Sequence, residues 1–138
     1  MICAIRIKGV IGVRSEAAET LERMRIRRKY ACVVLKETKE NLGRVNKMKD
    51  FIAYGEISDD MFEKLIEARG KPLDKSKKID AKKAVAEFKK GKTFEELNIK
   101  PFFRLHPPRK GISTKVHFPK GALGNHGEKI NSLVERML

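Results

Sequence analysis

At 138 residues the chain has the length of one domain, and folding at that size buries roughly two thirds of the unfolded surface, so one core needs no disulfide or metal staple. Its 32 Lys and Arg against 18 Asp and Glu leave a formal charge of +14, a self-repulsion that a polyanion relieves, which places nucleic acid first among partners and an acidic membrane second. The two cysteines, Cys3 and Cys32, lie in apolar runs, which excludes a disulfide scaffold and fits a reducing cytoplasm; no apolar run approaches the roughly 20 residues of a membrane span, and no secretory leader is read at the amino end.

The opening stretch ICAIRIK alternates, with Cys3, Ile5 and Ile7 on one face and Ala4, Arg6 and Lys8 on the other, and predicts a half-buried strand. A loop, GVIGVR, follows. Ser15 offers an N-cap, Glu16 and Glu19 fall in the first turns, and Ala17, Leu21 and Met24 repeat at helical spacing. The end of this helix is read as RMRIRRKY, residues 23–30, so that acids come first and bases last. ACVVLK predicts a second strand by its branched content. Thr38 caps a second helix marked by Leu42, Val45 and Met48, and FIAYGEI makes a third strand. Residues 1–57 thus read as a βαβαβ core domain, an α+β two-layer sandwich related to split-βαβ, ferredoxin-like folds.

Residues 58–138 read as a C-terminal extension of helices and a basic arm. Ser58 with Asp59 and Asp60 starts a third helix, Phe62, Leu65 and Ile66 mark its apolar side, and Gly70 is its stop. KPLDKSKK is a polar linker. Asp80 caps a fourth helix ending near Gly91, Thr93 and Glu96 have the spacing of a capping box, and EKINSLVERML closes the chain as a helix showing Ile130, Leu133, Val134 and Met137. Residues 97–127 hold no Asp or Glu, but they contain Lys100, Arg104, Arg109, Lys110, Lys115, Lys120, all three histidines and four of the five prolines. The interleaved Phe102, Phe103 and Phe118 argue against simple disorder. An extended RNA-contacting arm is expected here, with cations on phosphate and aromatics stacked on bases.

Candidate chemistry follows the cations. Arg23, Arg25, Arg27, Arg28 and Lys29 exceed what a helix dipole needs, and no acid follows within four positions. Arginine forks match phosphate oxygens in pairs, so the run reads as a multi-sided grip on folded RNA ahead of a solvated helix end or a flat membrane patch. Gly9 and Gly12 match a G-x-x-G clamp loop only weakly, because glycines in a strand-to-helix turn commonly serve backbone angles; Arg14 beside the helix start is a phosphate contact in this reading. His106, His117 and His126 match no zinc spacing, so stacking or phosphate contact is assigned to them and no metal site is expected. Asp59/Asp60 and Glu95/Glu96 sit at helix starts, where the dipole favours anions, and no G-x-S-x-G is present, so no catalysis is expected. The competing readings are a free-standing RNA chaperone or translational regulator on the same fold, and a small phosphate-handling enzyme using the loop from Gly9 to Arg14.

Ile11-Gly12, Thr20-Leu21, Met24-Arg25-Ile26-Arg27-Arg28, Val33-Val34, Thr38 and the segment from Gly43 to Lys47 follow one another as in the large-subunit ribosomal protein L-thirty family, which the chain resembles. Met24 and Ile26 are conservative departures, and Gly43-Arg44-Val45-Asn46-Lys47 replaces the family's Gly-Met-Ile form. Pro107-Pro108-Arg109-Lys110-Gly111, the segment from Thr114 to Phe118 and the closing Ile130-Asn131-Ser132-Leu133-Val134-Glu135-Arg136-Met137 are similar to the extension of the longer, archaeal and eukaryotic form. The resemblance therefore spans the chain. It implies a structural component of the large ribosomal subunit, without catalysis or cofactor, in the cytoplasm and not on a membrane. The implied partners are large-subunit ribosomal RNA near the 5S particle and neighbouring ribosomal proteins, with the protein a monomer within the ribosome. Taken with the charge pattern, RNA contact is expected at Gly12, Arg14, Arg23, Arg25, Arg27, Arg28, Lys29, Arg44, Lys47, Arg104, His106, Arg109, Lys110, Lys115, His117 and Lys120.

Overall fold

The computed structural model describes residues 1–138, with Ile2–Arg6 as β1 at the centre of a five-stranded sheet. β1 pairs antiparallel with β2 (Ala31–Leu35) on one side, Cys3 opposite Val34, and with β3 (Ile52–Glu56) on the other, Cys3 opposite Gly55. β2 and β3 therefore run parallel with β1 inserted between them, the split-βαβ arrangement. Helix α1 (Ser15–Arg23) links β1 to β2, and α2 (Lys39–Lys47) links β2 to β3.

Alternation along the strands is used twice. Ile2, Ala4, Val33, Ile52 and Tyr54 face Leu21 of α1, Val45 of α2 and the adjoining Met24 and Met48, in a cluster of 11 buried side chains. Cys3, Ile5, Ile7, Cys32, Val34 and Ala53 face a cluster of 25, to which α3 (Asp59–Arg69), α4 (Ala81–Lys89) and α5 (Ile130–Met137) contribute, so the larger half of the core lies on this side. β1 is thus buried on both faces, not half-buried as alternation alone predicts. The two-layer α+β sandwich of residues 1–57 gains a third layer from the extension's helices.

The 97–127 segment is less of a free arm than its composition predicts. Phe103–Arg104 forms β4 and extends the sheet antiparallel to β2, Ala31 opposite Arg104. Gly124–Asn125 forms β5, parallel to β3, giving the order β4-β2-β1-β3-β5. Carrying the β2–β4 register further puts Val34 opposite Pro101, which has no N–H to donate, so the ladder stops after two residues. Phe103 is buried with its ring edge-on to Phe94 at 6.1 Å, so it packs the core and is not available to stack on a base. The polar segment after α3 is also tied down: Asn98 accepts from the Asp74 N–H at 2.7 Å and donates back to the Asp74 carbonyl.

Local capping largely follows the chemistry of the side chains. Thr38, Ser58 and Asp80 each accept the backbone N–H three residues on, from Asn41, Met61 and Lys83. Thr93 and Glu96 exchange a capping box around a single turn. Ser15 differs from its expected role, because it is already helical and Arg14 takes the cap position without a side-chain bond. Gly70 stops α3 with φ −64°, outside the left-handed region; a Cβ there would lie 2.4 Å from the Ile66 carbonyl oxygen. Leu42 stays 39% exposed, so the α2 stripe is narrower than its spacing predicts. Cys3 and Cys32 are free, fully buried cross-strand neighbours with sulfurs 3.3 Å apart, and the hydrogen bond with Cys3, then burial, hold the Cys32 thiol well above its ordinary pKa.

Candidate nucleic-acid interface

RMRIRRKY does not continue the helix. α1 ends at Arg23, and Arg25 turns into the left-handed region at φ 65°. The Arg25 N–H donates to the Glu22 carbonyl and the Ile26 N–H to that of Leu21, the paired bonds of a Schellman stop, with Ile26 packed against the buried Leu21 cluster. An L-residue in this region costs about 1 kcal/mol, and Tyr30, at φ 63°, repeats the strain at the other end of the loop. The spread of Arg25, Arg27 and Arg28 expected of helical spacing is thus made by a loop pinned through Ile26.

Under this loop lies Arg6. Alternation assigns Arg6 to the polar face of a half-buried strand, yet it is 2% exposed. Its guanidinium donates to four backbone carbonyls: Lys8 at 3.0 Å and Gly9 at 3.1 Å in the loop after β1, and Ile26 at 3.2 Å and Arg27 at 2.6 Å in the basic loop. No carboxylate pairs with it, and burial lowers its pKa.

Pairing of β4 with β2 carries Arg104 to the same corner. A cleft of about 300 Å³ is lined there by Arg25, Arg27, Arg28, Arg104, Phe102, Ala31 and one carboxylate, Glu22. Glu22 lies 3.7 Å from Arg27, whereas Arg25, Arg28 and Arg104 have no ion-pair partner. The Arg104 guanidinium stands 5.9 Å from the centre of the Phe102 ring. Four planar donors around an open cleft with one acid suit an array of phosphate oxygens, and Phe102 supplies an apolar ring beside them.

Other candidate cations are placed differently. Arg23 is bonded to Glu19 at 2.5 Å, Arg44 to Glu40, and Lys47 to Glu16 at 2.8 Å, a hydrogen bond that lowers the Glu16 pKa. Lys29 lies 5.0 Å from the Tyr30 ring centre. Gly12, at φ 77°, belongs to an open loop in which Ile11 is 100% exposed, and Arg14 is exposed at the head of α1. Lys120 borders a separate cleft of about 520 Å³ with Lys129 and Arg136. Arg136 holds the carbonyls of Arg109 and Gly111, while Lys110 sits at φ 66° between them. Lys115 is exposed, the exposed His106 donates its backbone N–H to Met137, and His117 meets Asp50 at 3.0 Å. His126 is no surface contact: it is 8% exposed, bonded to the Ala122 carbonyl at 2.7 Å and stacked 4.5 Å from Phe118, and burial lowers its pKa.

The two basic regions therefore meet at one point, Arg25, Arg27, Arg28 and Arg104; Arg25 also lines a second cleft with Arg23 and Arg44, whereas the candidates from His106 to Lys120 line neither. Sequence reasoning missed Arg6 and the anchoring role of Arg136. The available signal for Arg6 was a lone cation inside an otherwise apolar strand.

A split-βαβ sheet with helices on both faces and an arginine cleft at one corner defines a small basic α+β scaffold. Residues 3–52 match the family model of ribosomal protein L30p/L7e. Three similar relatives each bear the name large ribosomal subunit protein uL30: that of Archaeoglobus fulgidus is 38% identical with 99% of both chains covered, that of Methanosphaera stadtmanae 36% with 100%, and that of Methanobrevibacter smithii 38% with 100%. The chain belongs to the ribosomal protein L30p/L7e family, and the likeness extends through the helices and loops after residue 52.

Proposed function

We propose that this protein is a structural constituent of the large ribosomal subunit and binds ribosomal RNA at the corner where the basic loop meets β4. Family membership supports the ribosomal role. The observation that carries the RNA contact is the convergence of Arg25, Arg27, Arg28 and Arg104, from distant parts of the chain, on one cleft with a single acid. The loop around Gly12 and Arg14, Lys29, and the exposed cations Arg109, Lys110, Lys115 and Lys120 with His106 and His117 extend the contact in this reading. Arg23, Arg44 and Lys47 belong to its margin, because each already has a carboxylate partner. The protein acts as a single copy among other ribosomal proteins of the cytoplasmic ribosome, near the 5S particle, and needs no cofactor for this role.

Sedimentation of salt-washed ribosomes tests the assignment. Stoichiometric retention in the large subunit is expected, whereas a purely soluble pool points instead to a free-standing RNA chaperone or regulator. Changing Arg25, Arg27 and Arg28 together to Gln is expected to lower affinity for large-subunit ribosomal RNA by at least tenfold while circular dichroism stays that of the wild type. Loss of the fold in that variant would make the run structural.

A further inference from the structure

Arg6 poses a question that the arginine cleft leaves open. A guanidinium that is 2% exposed in the central strand, with no carboxylate beside it, is a poor core residue, because an isolated buried cation loses hydration that no anion restores. What it gains is specific. Its Nε and Nη2 take the carbonyls of Lys8 and Gly9 at the root of the first loop, and Nη1 takes those of Ile26 and Arg27 inside the basic loop. One side chain thus bridges two loops whose roots are also joined by α1 and by the Tyr30 N–H bond to the Arg6 carbonyl at 2.7 Å. The planar fork matters: five donors in fixed directions reach four acceptors at once, which three rotatable donors of an ammonium on a flexible stem cannot reproduce.

We infer that Arg6 is the positioning residue of the RNA-binding surface: it latches the loop of Gly9 to Gly12 onto the loop of Arg25 to Lys29, so that both meet RNA already in their bound geometry. The inference rests on the RNA-binding reading above. Two of the four bonds, to the carbonyls of Ile26 and Arg27, fix the backbone of the basic loop, and the side chains of Arg25, Arg27 and Arg28 leave that backbone toward the cleft. Fixing the array before contact removes the ordering cost that a loose basic loop bears on binding. The buried charge also adds to the positive potential behind the cleft without touching RNA.

Arg6→Lys keeps the charge and most of the volume but not the fork. Its effect on amide hydrogen exchange and on affinity for in vitro transcribed large-subunit ribosomal RNA tests the latch, alone and in the Arg25/Arg27/Arg28→Gln background. Expected results are wild-type circular dichroism, faster exchange confined to residues 8–12 and 25–29, and affinity lowered about tenfold in the wild-type background but less than twofold in the triple variant. That non-additivity is the mark of action through the basic loop; a merely stabilising residue or an independent charge gives the same loss in both backgrounds, and such additivity overturns the latch. Unchanged exchange in both loops also overturns it. If the triple variant binds RNA like the wild type, the reading of the cleft falls and the positioning role falls with it. Should Arg6→Lys not fold, backbone 15N relaxation of the wild-type protein decides: residues 8–12 and 25–29 are expected to be as rigid without RNA as with it, and loops that become rigid only when RNA is added overturn the latch.

Discussion

Arg25 sets stability and function against each other within one residue. It occupies the left-handed position after α1, where glycine pays no Cβ penalty, and it also lines the arginine cleft. Arg25→Gly is therefore expected to raise stability by about 1 kcal/mol, roughly 3 °C in melting temperature for a chain of this size, while RNA affinity falls severalfold. Thermal unfolding and a binding titration should move in opposite directions. His126 shows a different residue-scale effect. Burial lowers its folded pKa below the unfolded value of about 6.5, so the unfolded chain binds the extra proton more readily. Its contribution is complete above that pH and is lost as pH falls toward and through the lower, folded pKa. Between pH 8 and 5 the melting temperature should drop, and less steeply in His126→Gln, whose amide still reaches the Ala122 carbonyl. Ile11, fully exposed at its loop tip, has no packing to lose; Ile11→Ser should leave the melting temperature unchanged.

At the scale of elements, close approach between β3 and the start of α5 depends on Gly55. A Cβ there would lie 2.2 Å from the Gly127 carbonyl oxygen and 2.9 Å from the Ile130 Cβ. Gly55→Ala should thus destabilise by about 1–3 kcal/mol as β3 and the last helix separate, read as a lower urea midpoint. Nothing in FIAYGEI announces this contact, because the partner lies far along the chain. Where a signal was local, it was legible: Thr38, Ser58, Asp80 and the Thr93/Glu96 box are chemistry within three residues, and each caps a turn as expected. Strand alternation in β1 identified both sets of side chains but not that a third layer covers the second set. The basic run was legible as a cluster, yet its shape was not, since the Schellman turn uses an arginine where glycine is the usual sign. Arg104 joined the cleft through β4, a two-residue pairing too short to carry a strand signal.

For the whole molecule, ionic strength should act with opposite signs on the free and bound protein. The ion pairs are all between exposed side chains, such as Arg23 with Glu19 and Lys47 with Glu16, and exposed pairs of this kind contribute about 0–1 kcal/mol each. Against them stands an excess of 14 positive charges on one small body. Screening weakens both, but the repulsion of the uncompensated cations outweighs the exposed pairs, so the melting temperature of the free protein should rise as KCl goes from roughly 50 to roughly 500 mM, well past the range where the Debye length is about 10 Å. The complex behaves in reverse. Each phosphate neutralised releases counterions, so log affinity falls linearly with log salt, with a slope near 0.7–0.9 per contact. If Arg25, Arg27 and Arg28 each hold a phosphate, the triple Gln variant should show a slope shallower by about 2.1–2.7 units. Its free form, three charges less repelled, should gain less from added KCl than the wild type. A wild-type melting temperature that falls with KCl would mean that exposed pairs, not the cationic excess, govern the free fold, and an unaltered slope in the triple variant would place the phosphates elsewhere on the surface.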